Sequence, residues 1–286
     1  MNLYQEENVL KQIEKWALEE ECIRAVVLTG SRTAATSKTD LLSDYDIAVY
    51  TTDWSQFLNS DNWMNRFGTI LVRWPITPGT TFDTHWLTRL VLFEDGLRID
   101  FQITEFDQIN PKDYDNGYRI LLDKDGITNP LKEPTYTIYN IKRPSKDEFT
   151  QLVNDFWWDA TYLPKNLYRN ELPYAKYMLD NILRHQHLHR LIEWHIGSIN
   201  NWKVNPGCHG KWFALYLDHA TWEAYKATYA GSGINENWNA LFKLLNLFGR
   251  LASKCADQLG FQYPADLDKK VTGYIYELHQ MHTDSL

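Results

Sequence analysis

IRAVVLTGSR, residues 23–32, and SDYDIAVY, residues 43–50, decide how this chain folds. The first is an apolar run, Ile23 to Thr29, that leads straight into Gly30-Ser31-Arg32. Its branched aliphatic residues predict a strand, and the glycine predicts a turn at the strand's end. The second opens with Asp44-Tyr45-Asp46 and continues apolar, so a strand is expected over Tyr45 to Tyr50. Alternation along a strand puts residues i and i+2 on one face, roughly 6.6 Å apart. Asp44 and Asp46 therefore point one way and Tyr45 the other.

Two carboxylates aimed at one point repel unless a cation lies between them. Oxygen ligands of this kind select magnesium or manganese rather than zinc. The turn supplies a complementary half: Gly30 and the Ser31 hydroxyl can face phosphate oxygens, and Arg32 adds charge usable against phosphate or carboxylate. Working outward, Asp95-Gly96 reads as a hairpin turn between Trp86–Glu94 and Leu97–Thr104. Asp100 falls inside the second of these strands, between Ile99 and Phe101. A lone carboxylate there is expensive to bury, and pairing with Arg98 or Arg89 would offset that cost. Beside Asp44 and Asp46, a catalytic or metal-binding role is the better expectation.

At these residues the chain resembles the nucleotidyltransferase superfamily, whose signature is Gly-Ser, a spacer and Asp-x-Asp. It is most similar to the aminoglycoside 6-adenylyltransferases, also called streptomycin adenylyltransferases. The matching text is Gly30-Ser31-Arg32, Leu42 to Ile47, Asp95 to Asp100, Phe156-Trp157-Trp158, Leu172 to Met178 and His209-Gly210-Lys211-Trp212. The spacer Thr33 to Leu41 and the segment after Tyr50 depart from the family pattern. The resemblance implies ATP as co-substrate and one or two Mg²⁺ ions. It further implies transfer of AMP to a hydroxyl of a streptomycin-like drug, with release of pyrophosphate. Asp44, Asp46 and Asp100 would then be the catalytic and metal-holding carboxylates, Asp100 serving as base or ligand. Gly30, Ser31, Arg32 and Lys211 would meet the nucleotide.

Composition bounds the partners. A formal charge of −8 makes a poor match for a phosphate backbone and a better one for a small polycation. No nucleic-acid partner is expected. Three scattered cysteines, Cys22, Cys208 and Cys255, do not form a disulfide framework. The polar start, Met1 to Glu7, and the lack of a long apolar run lead to an expectation of a cytoplasmic protein without membrane contact. Oligomeric state is not legible.

An amphipathic helix is predicted over Glu6 to Glu21, with Val9, Leu10, Ile13, Trp16 and Ala17 on its stripe. Trp54 to Phe67 reads as mostly helical, Thr69 to Arg73 as a strand, Pro75 to Thr84 as a loop and Arg119 to Asp123 as a last strand. Prolines between Asn129 and Pro144 place a linker there. Beyond Ser145, which offers a capping box with Glu148, helices are expected over Lys146–Thr161, Leu172–Gly197, Lys211–Leu217, Thr221–Tyr229, Ile234–Leu259 and Ala265–Gln280. The fold class is therefore α+β. A nucleotidyltransferase-like mixed sheet with flanking helices, residues 1–135, is followed by an all-helical acceptor-binding domain, residues 145–286.

His185 and His189 are spaced to share a zinc ion, but the surrounding text lacks a metalloprotease pattern, so an ordinary helix face is the better reading. Cys208-His209 lacks an orienting third group for a nucleophile pair. Asn205 to Lys211 is a glycine-rich turn without P-loop spacing, and Lys211 could meet a phosphate from it. Asp155, Asp159, Glu171 and Asp180 lie near Trp157, Trp158 and Tyr162, and a polyamine sugar needs carboxylates with aromatic walls. Trp157, Asp159, Glu171 and Asp180 are the expected acceptor residues. Two rivals stand beside this reading. One is a degenerate nucleotide-binding regulator or antitoxin-type relative. The other is an adenylyltransferase acting on a protein or another small hydroxyl compound.

Overall fold

The computed structural model describes residues 6–34, 39–81 and 86–284. Residues 35–38 of the spacer and the end of the predicted loop over Pro75 to Thr84 lie outside them. The chain forms two compact units, Met1–Ile138 and Tyr139–Leu286.

The first unit begins with α1, Glu6–Glu19, whose buried stripe is Val9, Leu10, Ile13, Trp16 and Ala17. Then come β1, Ile23–Thr29; β2, Tyr45–Thr51; α2, Ser55–Asn59; β3, Ile70–Trp74; β4, Leu87–Phe93; β5, Arg98–Glu105; and β6, Arg119–Asp123. The six strands form one sheet in the order β3-β4-β5-β2-β1-β6. Only β2 and β5 pair in parallel, with Asp46 opposite Asp100; β1 runs antiparallel to β2, with Thr29 opposite Asp46.

Alternation divides the sheet into two faces with different tasks. Leu28, Ile47, Val49, Ile99 and Phe101 pack into one core with the α1 stripe. Trp16 anchors that core, meeting Phe57, Trp63, Phe67 and Phe101 at ring-centroid distances of 5.2–6.0 Å. The opposite face carries Ala25, Val27, Ala48, Tyr50 and Tyr114. Asp46 and Asp100 share this second face, because each lies one residue before a core-facing neighbour.

The region over Trp54 to Phe67 is less helical than its composition suggests. After α2 the chain breaks, and only a 3₁₀ turn, Asn62–Arg66, follows. The break presents Asp61, which is buried and holds Arg89 at 2.9 Å and Arg73 at 2.8 Å. Arg89 is itself 1% exposed, so a buried guanidinium fixes where this segment leaves the helix. The end of the unit is tied down by Asp115, whose carboxylate accepts from the backbone N–H groups of Thr135, Thr137 and Ile138. The Thr135 hydroxyl, then those backbone bonds, lower its pKa to about 2.

The second unit is helical: α3, Lys146–Ala160; α4, Tyr162–Tyr168; α5, Leu172–Lys176; α6, His189–Ile199; α7, Phe213–Tyr216; α8, His219–Lys226; α9, Ile234–Leu259; and α10, Ala265–Asp284. Ser145 and Glu148 form the capping box that starts α3. Gly260, at φ +73°, ends α9 in a left-handed cap. The helix expected over Leu172 to Gly197 is interrupted, since Tyr177–Leu188 winds as a π-helix between α5 and α6. The wider turn shifts the phase of the side chains, so α-helical spacing misplaces those beyond it. The helix expected over Lys211 to Leu217 shrinks to α7, behind a 3₁₀ turn at Cys208–Gly210 where His209 takes φ +53°. No helix among the described residues is long and apolar enough to cross a membrane.

Candidate active site

The site is built where β1, β2 and β5 end side by side. β1 delivers Gly30 at φ +72°, a backbone region that favours glycine. Space demands glycine as well: a Cβ there would lie 1.8 Å from Asp46 Oδ2. The turn therefore packs directly on the carboxylate of the neighbouring strand. Gly30–Arg32 is a single 3₁₀ turn, with Thr33 N and Ala34 N donating to Gly30 O. Among the described residues, no hydrogen-bond partner occupies the Ser31 hydroxyl, which stays available at the turn.

Asp46 faces Asp100 across the parallel pairing, and Asp44 lies two residues before Asp46, just ahead of β2. Burial, then the charges of Asp100 and Asp44, raise the Asp46 pKa to about 6; Arg98 and Arg32 pull it partly back. Arg98 neutralises the group. Its Nε donates to Asp100 Oδ1 at 3.0 Å and Nη2 to Asp100 Oδ2 at 2.9 Å, while Nε lies 3.4 Å from Asp44 Oδ2. Of the two arginines open to Asp100 on sequence grounds, Arg98 is the partner and Arg89 belongs to Asp61.

Carboxylate oxygens from adjacent strands suit a hard divalent cation. Among the described residues no three His, Cys, Asp or Glu side chains are drawn together as a metal-holding cluster. The donor chemistry fits such an ion, while the carboxylates themselves are arranged around a guanidinium.

Arg32 is engaged within the fold. Its side chain is 7% exposed, donates to Asp44 O at 3.0 Å and Ser43 O at 2.6 Å, pairs with Glu6 at 3.0 Å and stacks 3.8 Å over the Tyr45 ring. With its fork engaged in this way, Arg32 clamps the aspartate loop. Sequence alone cannot separate these uses of a guanidinium.

Two cavities flank the carboxylates within the first unit. One, of about 630 Å³, is lined by Arg32, residues 39–45 and Asp95–Arg98. The other, of about 270 Å³, is lined by Thr29, Ala48, Trp86, Gln102, Asp113 and Tyr114. Ala48 and Gln102 are the next residues along β2 and β5 on the face that carries Asp46 and Asp100.

The expected acceptor residues do not gather into a pocket. Trp157 is 1% exposed and packs edge-on against Phe156 and Phe248 in the helical core; its neighbour Trp158 carries the exposed ring. The stripe Phe149, Leu152, Val153, Phe156, Trp157 and Ala160 follows helical spacing, a signal that could have assigned Trp157 to the core. Asp159 is paired with His187 Nε2 at 2.8 Å. Asp180 is held by Lys176 at 2.9 Å and by Arg184. Glu171 stays exposed at the start of α5. Lys211 is exposed in the second unit, beside Trp212.

A family model described as streptomycin adenylyltransferase matches residues 3–278. An aminoglycoside 6-adenylyltransferase of Bacillus subtilis (strain 168) is 34% identical over 266 residues, which cover 91% of this chain and 92% of that protein. One from Campylobacter jejuni is 29% identical over 273 residues, covering 94% of each. A crystal structure of an aminoglycoside 6-adenyltransferase from Bacillus subtilis aligns over 97% of this chain and 99% of its own, at 29% identity and a TM-score of 0.48.

Proposed function

The chain belongs to the streptomycin adenylyltransferase family and is a nucleotidyltransferase, and on that footing we propose that it transfers AMP from ATP to a hydroxyl of a streptomycin-like aminoglycoside, releasing pyrophosphate. The observation that carries this reading is the pair Asp46 and Asp100 on one sheet face, with Asp44 drawn to the same Arg98, directly beside the Gly30-Ser31 turn.

The Ser31 hydroxyl and the turn's N–H groups receive the outer phosphate oxygens, and Gly30 lets the turn approach closely. Asp44, Asp46 and Asp100 would hold one or two Mg²⁺ ions. When bound, magnesium neutralises the charge that develops as the α-phosphate is displaced in line. Arg32 keeps Asp44 in place through its two backbone bonds. Asp100 completes the set, as a ligand or as the base that takes the acceptor's proton. Lys211 stands as a phosphate partner on the family resemblance alone. The small cavity beyond Asp46 and Asp100, with Trp86 and Asp113 on its wall, suits part of a cationic sugar. The charge of −8 favours a polyamine acceptor.

A degenerate nucleotide binder would not require three carboxylates set against one another, since their mutual repulsion serves only a cation-dependent site. The test is incubation with ATP, Mg²⁺ and a panel of aminoglycosides, followed by mass spectrometry. A drug carrying one added AMP is expected. No adenylylated drug, with label on the protein itself or on another protein, overturns the acceptor assignment.

A further inference from the structure

The two arginines at the carboxylates differ in how firmly they are held. Arg32 is nearly buried and bonded to a carboxylate, two carbonyls and an aromatic face. Arg98 has 44% of its side chain exposed, and its described partners are the carboxylates Asp100 and Asp44. It lies two residues before Asp100 on β5, so strand alternation sends both side chains to the same face. It also lines the larger cavity together with Asp44, which leaves room for the guanidinium to swing away.

A guanidinium binds carboxylate and phosphate with the same two-pronged geometry. Arg98 therefore has an alternative anion whenever a polyphosphate enters. A divalent cation coming alone offers it none and is repelled by it at close range. We propose that Arg98 is an internal counter-cation that competes with divalent metal for Asp44 and Asp100 and is released by transfer to the incoming polyphosphate. Metal then loads with the nucleotide rather than before it. Arg98 acts here as a positioning residue, through the carboxylates. The inference rests on the reading of those carboxylates as a metal centre.

The test is Mn²⁺ binding to the full-length protein without nucleotide, followed by electron paramagnetic resonance. Arg98→Gln is expected to bind Mn²⁺ about tenfold or more tightly than wild type. Arg98→Lys, a point charge without the fork, is expected to fall between them. In the absence of metal, Arg98→Gln is also expected to bind a non-hydrolysable ATP analogue about tenfold more weakly. A purely structural arginine would weaken both ligands, so the opposite signs identify the competition. Mn²⁺ affinity in Arg98→Gln equal to or below wild type overturns the inference. Should that variant fail to fold, wild-type Mn²⁺ affinity in Arg98→Lys overturns it instead. If no form of the protein binds Mn²⁺, with or without the analogue, the metal-centre reading falls first and the inference falls with it.

Discussion

Asp44 and Asp100 in the first unit share a guanidinium, whereas in the second unit His185 lies between His189 and His209, with tilted rings whose centroids are 4.8 and 4.9 Å from its own. Both are clusters of like groups beside a cavity: Asp44 lines one of about 630 Å³, and the three histidines line one of about 750 Å³. Burial, then His185, Arg184 and His209, lower the His189 pKa to about 4. That imidazole is neutral at pH 7 and hydrogen-bonded to the Tyr225 hydroxyl at 2.8 Å. The aspartates are balanced differently, by a cation: Arg98 pairs with Asp100 and Asp44, and its charge partly offsets the rise in the Asp46 pKa. The comparison shows that the way like groups are balanced, rather than cavity size, distinguishes the active-site candidate.

The sharpest way to break the comparison is Asp46→Asn. It should lower kcat about a thousandfold, as loss of a central electrostatic group does, with the far-UV spectrum unchanged. Near wild-type adenylylation would refute the assignment. The helical unit's aromatic pair comes next. Trp157→Ala should cost about 3 kcal/mol in denaturant unfolding as a buried indole is removed, while Trp158→Ala should stay within about 0.5 kcal/mol. Similar losses would contradict the burial of one ring and the exposure of the other. Asp100→Asn should lower kcat about a hundredfold, in the range for a catalytic acid or base. ATP binding left intact would make Asp100 chiefly a base, and a matching loss of ATP affinity would make it chiefly a ligand.

The smallest effects are in pH dependence, and they have opposite signs. The Asp46 pKa is raised on folding, so its contribution to stability is present below about pH 4 and is lost as pH rises through about 6. The His189 pKa is lowered, so its contribution is present above the ordinary value of 6.5 and is lost as pH falls through about 4. Each effect should be about 1–2 kcal/mol after allowance for solvent screening. Urea unfolding in EDTA across pH 4 to 7 checks this. Asp46→Asn should remove the loss on the alkaline side and His189→Gln the loss on the acid side. A variant that leaves both slopes unchanged would show that its group does not carry the shift.

Much of the fold was legible because its signals are local. The α1 stripe, the bounds of β1, the Asp95-Gly96 hairpin, the Ser145–Glu148 capping box and the length of α9 each follow from a few neighbouring residues. The π-helical stretch was not legible, because the stripe Met178, Leu179, Leu183, Leu188 and its neighbours reads from local spacing as one continuous helix face. Nor was the break at Asp61, which depends on Arg89, distant in sequence and buried beside it.

The same division runs through the site. By itself the sequence supplied the Gly30-Ser31 turn and the Asp44-x-Asp46 spacing, and through them the family resemblance that named the reaction class; the pairing of β2 with β5 then set Asp100 opposite Asp46. Only the tertiary structure decided how the charged side chains are used. Arg32 became a clamp, Arg98 the partner of the carboxylates, and Asp159 and Asp180 halves of internal ion pairs. Long charged side chains take whichever opposite charge the fold brings within reach, and that proximity is not written in local sequence.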